Sequence, residues 1–196
     1  MRDLSHWNAR YAVDRVRTAI HERRHPDAPW LTAEAVHLLE QLLRPTDRCF
    51  EWGSGRSTLW LARRTAWIQS VEHDPSWHAR TRELISSWPS ANVELVASDS
   101  ESYVRPVSGA GDLDVVLVDG IHRDACALAA LARLRPGAVL AIDNVERYLP
   151  SSSRSPQAIG EKHETALWKH FDDQTASWRR IWTTNGVSDT ALFFRP

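Results

Sequence analysis

Apolar residues along this chain change their spacing twice. Up to about residue 45 they recur at three- and four-residue intervals, with Ala9, Val13, Val16 and Ile20 on one side and arginines and Asp14 on the other. That is the pattern of an amphipathic helix. His25-Pro26-Asp27-Ala28-Pro29 breaks it. A second helix is expected from Thr32, whose hydroxyl can cap the first turn while Glu34 complements the positive helix end. Leu31 and Val36 stand where a hydrophobic staple would, and Pro45 ends the run.

From Arg48 onward, short apolar runs alternate with helical stretches. Strands are expected at 49–52, 67–72, 93–96, 113–119 and 138–142. The fourth run, Leu113-Asp114-Val115-Val116-Leu117-Val118-Asp119, is apolar enough to be covered on both faces. Between these runs, Gly53-Ser54-Gly55 opens one helix, and Asp74-Pro75 caps another expected to reach Trp88-Pro89. A further helix is expected from Arg123 to Leu134. Strands alternating with helices argue for a parallel sheet of βαβ units. The end of the chain departs from this. A polar loop at 150–160 is long enough for a lid, a helix is expected over 162–172, and strands at 178–183 and 191–194 flank Asn185-Gly186. Trp52, Trp60 and Trp67 read as core, while Trp7, Trp30 and Trp77 have no readable role beyond packing or a ligand wall.

Composition narrows the class. A chain of 196 residues with 42% hydrophobic and 25% charged residues suits one domain, with 1–45 as a helical segment joined to a unit over 46–196. Lys plus Arg is 24 and Asp plus Glu is 25, a formal charge of −1 that argues against nucleic acid or an anionic membrane as partner. The first residues lack the apolar stretch of a signal peptide, and Cys49 and Cys126 make neither a disulfide framework nor a zinc spacing. These features point to a cytoplasmic protein.

Candidate chemistry gathers at the ends of the expected strands. Glu51-Trp52-Gly53-Ser54-Gly55 joins a strand to a helix, where glycines allow close approach of a ligand to free N–H groups. Thr58 stands where a dinucleotide fingerprint has its third glycine. Glu72 ends the second strand, where a carboxylate can accept both hydroxyls of a ribose. Asp99 follows the third strand, as an adenine neighbour or as a turn-forming residue. Asp119, Asp143 and Asn144 end adjacent buried strands and present three hard oxygen donors of the kind that hold Mg²⁺. His122 lies three residues past Asp119, placed to act as a general base.

In this order the segments resemble the class I S-adenosylmethionine-dependent methyltransferases over roughly residues 30–196. The resemblance implies a Rossmann-like α/β fold with helices on both faces, a seven-stranded sheet of order 3-2-1-4-5-7-6 with strand 7 antiparallel, and an N-terminal helical extension. It implies S-adenosyl-L-methionine as cofactor, with contacts from Glu51, Gly53, Gly55, Ser57, Thr58, Glu72, His73, Asp99, Ser100 and Asp119. Asp119 with Asp143-Asn144 looks like the metal site of cation-dependent O-methyltransferases, which carry a base three residues after the first aspartate; here that residue is His122. The function implied is biosynthetic methylation of a small-molecule hydroxyl, with Mg²⁺ or another divalent cation at Asp119, Asp143 and Asn144 and catalysis by His122 and Asp119. A metal-independent O- or N-methyltransferase and a non-catalytic nucleotide-binding subunit stay open, as does a homodimer. A nicotinamide oxidoreductase is disfavoured by Thr58 and by the antiparallel ending.

Overall fold

The computed structural model describes residues 8–196, so expectations for Met1 to Trp7 lie outside the described residues. In chain order the elements are α1 (Ala9–Arg24), α2 (Ala33–Leu42), β1 (Arg48–Trp52), α3 (Arg56–Ala62), β2 (Trp67–Glu72), α4 (Pro75–Leu84), β3 (Ala91–Leu95), α5 (Ser100–Val104), β4 (Leu113–Val118), α6 (Arg123–Leu131), β5 (Leu134–Asp143), α7 (Ala166–Thr175), β6 (Arg179–Thr184) and β7 (Asp189–Phe194). The strands form one sheet of order β3-β2-β1-β4-β5-β7-β6, parallel except for β7, which runs antiparallel to both neighbours.

Alternation along the strands builds two cores, one on each face of the sheet. Phe50, Trp52, Val116, Val118, Leu140 and Ile142 pack beneath α6 and α7. Their neighbours Cys49, Val115, Leu117, Val139 and Ala141 pack with α2 and α3 on the other face. Because successive strand residues point to opposite sides, a run such as 115–118 must be apolar throughout when both faces are covered. Trp52 and Trp60 are buried and Trp67 packs against the first core.

Helix starts follow the caps. Thr32 Oγ1 accepts from Ala35 N at 3.3 Å, Asp74 Oδ1 from Trp77 N at 2.8 Å, and Asn8 Oδ1 from Tyr11 N at 2.9 Å. Several ends differ from expectation. The fourth helix stops at Leu84, and α7 begins at Ala166, where Thr165 caps it. Strand β5 starts at Leu134 rather than Ala138, because Leu134 pairs with Leu113 before a register shift, and Pro136-Gly137 falls in the irregular stretch.

Two larger differences concern the periphery. The apolar stripe of α1 faces solvent, with Val13 47%, Val16 58% and Ile20 45% exposed. It is the polar side, through Tyr11, Asp14, Thr18 and His21, that is turned partly inward. Asp14 lies over Gly186, which has φ +78°, and a Cβ there would overlap its carboxylate. The 150–160 loop is tied to the body instead of standing free as a lid. Ser151 N donates to Gly160 O at 2.9 Å, Ile159 N to Glu146 O at 3.0 Å, and Ser155 Oγ to Asp189 Oδ1 at 2.6 Å. Among the described residues, no helix is long and apolar enough to cross a membrane.

Candidate active site

The chain leaves β1 toward β2 and β3 on one side and returns to β4 on the other, so the carboxyl ends of β1 and β4 diverge at a topological switch point. A cleft of about 490 Å³ opens there, lined by the 53–57 loop, Glu72 to Asp74, Trp77, Tyr103, Asp119 to Ile121 and Trp30. Its floor is a close contact between two backbones. Gly53 has φ +90°, and a Cβ on it would lie 2.7 Å from the carbonyl carbon and oxygen of Asp119. A Cβ on Gly120 would overlap the Tyr103 hydroxyl. Only glycine meets both the left-handed φ at position 53 and this approach. The result is a bare backbone cradle beside the N-terminus of α3, which suits a nucleoside-bearing ligand.

The acids around this cradle hold the loop more than they face the cavity. Glu51 points to the α3 side of the sheet and is fully buried. Its Oε2 accepts from Thr58 Oγ1 at 2.5 Å and Ser70 Oγ at 2.8 Å, while Oε1 has no hydrogen-bond partner. Thr58 Oγ1 in turn accepts from Gly55 N at 3.0 Å, so the residue in the third-glycine position secures the loop instead of opening it. Burial pushes the Glu51 carboxyl up to about 7, opposed by the hydroxyls of Ser57, Thr58 and Ser70.

Glu72 is nearly saturated. Oε2 accepts from Ser54 N and Ser54 Oγ, both at 3.1 Å, and Oε1 from His73 N at 2.8 Å and Asp74 N at 3.0 Å. A carboxylate offers about four acceptor positions, and four donors of this chain fill them. Asp74 is more open at the rim. Only its Oδ1 is engaged, by Ser76 Oγ at 2.6 Å and Trp77 N, and these donors hold its carboxyl below the usual range. Trp77 Nε1 donates to Ser54 O, and its ring stacks on Trp30 with centroids 6.1 Å apart. The Arg56 guanidinium lies 4.9 Å over Trp30.

At the ends of β4 and β5 the expected donor set is already engaged. Arg123 Nη2 donates to Asp119 Oδ1 at 2.8 Å and to Asp119 O at 3.0 Å, Nε donates to Gly120 O at 2.8 Å, and Nη1 donates to Asp143 O. Thr190 Oγ1 donates to Asp143 Oδ1 at 2.9 Å. Burial, then the charge of Asp119, raises the Asp143 carboxyl well above its usual range. Burial also raises Asp119, opposed first by Arg123 and also by a hydrogen bond from Asp143. Asp143 is thus the more strongly raised of the two. A carboxylate facing a guanidinium and a carboxyl held by Thr190 leave little free oxygen for a divalent cation, and Asn144 sits at φ +52° opening a short 3₁₀ turn. Among the described residues, no group of three or more His, Cys, Asp or Glu side chains is placed to hold a metal. In the expected metal set of Asp119, Asp143 and Asn144, the two carboxyl groups are thus engaged by Arg123 and Thr190.

Gly53, Gly55, Ser57, Glu72, His73 and Asp119 thus come together around one cleft. Glu51 and Thr58 lie behind it. Asp99 takes the other role open to it: its Oδ1 caps α5 by accepting from Ser102 N at 2.9 Å, and neither it nor Ser100 lines the cavity. The region between β3 and β4 holds only the short α5 and a 3₁₀ turn at Arg105–Gly109, which leaves both at the surface. His122 stands at the N-cap of α6 with φ +47° and its Nε2 2.8 Å from Ser98 O. Sequence reasoning left Trp30 open as a ligand wall and missed Arg56, Tyr103 and Arg123. The four-residue spacing of Asp119 and Arg123 was the available signal for the last, but it spans a strand end and a helix start, where spacing alone predicts no contact.

Comparison with known proteins agrees with this geometry. Residues 50–145 match a family model described as a methyltransferase domain. No curated protein sequence matches the chain. Among solved structures, it is similar to an O-methyltransferase from Bacillus cereus in complex with S-adenosylhomocysteine, at 18% identity and a TM-score of 0.60, covering 82% of this chain and 78% of that one. It is similar over 100% of both chains to the O-methyltransferase TomG from Streptomyces achromogenes, involved in tomaymycin synthesis and solved with S-adenosylmethionine, at 21% identity and a TM-score of 0.58. Cofactor-bound Rv0187 from MTB is similar at 21% identity and a TM-score of 0.57, covering 93% and 88% of the two chains. The strand order with its antiparallel β7, the bare glycine cradle at the switch point and the methyltransferase domain matched over 50–145 together give this chain the class I methyltransferase fold.

Proposed function

We propose that this enzyme methylates a hydroxyl oxygen of a small molecule, with His122 as the base and without a divalent cation. The observation that carries the reading is the anchoring of His122. A carbonyl oxygen only accepts, so the 2.8 Å contact with Ser98 O places the hydrogen of a neutral imidazole on Nε2 and leaves the lone pair on Nδ1. The left-handed backbone of His122 is a strained conformation of the kind found at working sites. Its ring lies 6.2 Å from that of Tyr103, which lines the cleft.

The cofactor side of the cleft is assigned to the backbone of 53–55 and 119–120, with Trp77 along one wall. Because the acceptor positions of Glu72 are taken, ribose hydroxyls are assigned to the freer Asp74 carboxylate. When bound, S-adenosylmethionine supplies an electrophilic methyl group on its sulfonium. The chain's own contribution is to align the acceptor oxygen and take its proton on Nδ1 of His122 as the methyl bond to that oxygen forms.

A second cavity of about 460 Å³ adjoins the cofactor cleft. It lies between the inward polar side of α1, the Pro29–Leu31 segment and the Thr184–Gly186 turn, and it shares Trp30 and Arg56 with the cofactor cleft. That size suits a small molecule, and the near-zero net charge suits no nucleic acid. Two of the structural neighbours are named O-methyltransferases, which favours oxygen as the atom methylated.

Calorimetric titration with S-adenosylhomocysteine tests the cofactor part, with micromolar binding expected. A screen of catechol and sugar hydroxyls, read as S-adenosylhomocysteine formed, tests the rest. With any acceptor so found, His122→Asn should lower kcat by about a hundredfold or more while leaving the dissociation constant for S-adenosylhomocysteine within about twofold. Unchanged kcat in that variant removes His122 from the role of base.

A further inference from the structure

Arg123 occupies the place to which the sequence assigns a cation. Its guanidinium makes four hydrogen bonds, three to the carbonyl oxygens of Asp119, Gly120 and Asp143 and one to the Asp119 carboxylate. Those oxygens all belong to the carboxyl ends of β4 and β5 or to the residues just beyond them. A cluster of carbonyls and carboxyl groups turned to one point is the setting in which proteins hold hard cations through oxygen. Here the positive charge is delivered by the chain itself, from the first residue of α6. Only 12% of the Arg123 side chain is exposed, against 27% for Asp119.

The fork geometry suits the task. A guanidinium is planar, carries five donors and keeps its charge, so it can satisfy several fixed oxygens at once where an ammonium serves as a point charge. Asp119 faces Arg123 and lines the cleft, whereas Asp143 is tied to Thr190. A divalent ion entering here would have to displace Arg123, leaving a buried cation without its partners.

We propose that Arg123 is a built-in substitute for the divalent cation, a positioning residue that fixes the Asp119 carboxylate at the cleft wall and closes the site to metal. The inference concerns metal and carboxylate alone, so it stands or falls separately from the choice of acceptor and base.

The test is a Mn²⁺ titration of the full chain by calorimetry and electron paramagnetic resonance, beside an S-adenosylhomocysteine titration on the same preparations. Wild-type protein is expected to show no specific Mn²⁺ binding up to about 1 mM, and the same S-adenosylhomocysteine affinity with or without EDTA. Arg123→Ala frees the oxygens and should gain Mn²⁺ affinity by about tenfold or more, a gain that Asp119→Asn added to the same variant removes. Arg123→Lys, which keeps a positive charge, should gain none. A merely structural arginine would not move this readout. Micromolar Mn²⁺ binding by the wild type, lost in Asp119→Asn, overturns the proposal whether or not the arginine variants fold. A folded Arg123→Ala protein that gains no Mn²⁺ binding overturns it too. Failure to bind S-adenosylhomocysteine with these metal results intact would instead fault the cofactor reading.

Discussion

In Gly53→Ala, S-adenosylhomocysteine binding is expected to drop below calorimetric detection, with a marked loss of stability. The new methyl group would meet the Asp119 carbonyl carbon and oxygen at 2.7 Å, and position 53 would still need φ +90°. Backbone on the far side cannot swing away as a long side chain can. Left-handed strain costs about 1–3 kcal/mol and overpacking about the same, so a loss of about 3 kcal/mol is expected. For a chain of this size that is a fall of roughly 6–12 °C in melting temperature. Gly55→Ala is the control. Its Cβ would stand 3.5 Å from the Trp77 ring, an ordinary contact, and its extended φ suits any residue. Stability of that variant should stay within about 0.5 kcal/mol of wild type. If Gly53→Ala bound cofactor as wild type does, the cleft at the switch point would not be the cofactor site.

The second large effect is on stability against pH, through Glu51. Its carboxyl is raised from 4.5 to about 7 in the folded chain, with burial as the leading cause. The unfolded chain therefore ionises first. The stability this group contributes is fully present below pH 4.5 and is lost as pH rises through 7. A shift of that size corresponds to about 3 kcal/mol between the two limits. In Glu51→Gln the amide oxygen can still accept from Thr58 and Ser70, and no charge forms. The variant should match wild type near pH 5 and melt several degrees higher near pH 8.5. Asp119 and Asp143 are raised as well and act in the same direction, so the comparison must be between variant and wild type across pH. Parallel melting curves for the two proteins would show that Glu51 ionises in the folded chain as it does in the unfolded one, with no shift.

These two residues show how unevenly the site could be read. Gly53 was legible because a glycine between a buried strand and a helix has few reasons to be there. Glu51 was legible as an acid at a strand end, but its role was not. Strand alternation puts residue 51 on the face opposite Trp52, beneath α3, where it carries Thr58 and through it the loop. Glu72 shows the same limit. Its position at the end of β2 followed from the pattern, whereas two of the four donors that fill it come from Ser54 beyond the neighbouring strand, and two from the turn of residues 73 and 74 just after it.

By itself the sequence determined the kind of sheet and most of its elements, because burial on both faces demands continuous apolar strands and most helix starts carry a side-chain cap. The antiparallel ending was readable from two strands around Asn185-Gly186 for the same local reason. Tertiary structure decided the rest. Periodicity makes α1 a helix but does not say which side docks, and the polar side turned inward to wall a cavity while Val13, Val16 and Ile20 stayed exposed. The oxygens at the ends of β4 and β5 were foreseeable as a negative cluster. What neutralises them depended on the direction in which α6 leaves the sheet, and that direction delivers Arg123. Patterns along a chain report the preference of each segment, whereas charge pairing between segments is settled only when packing fixes their distance.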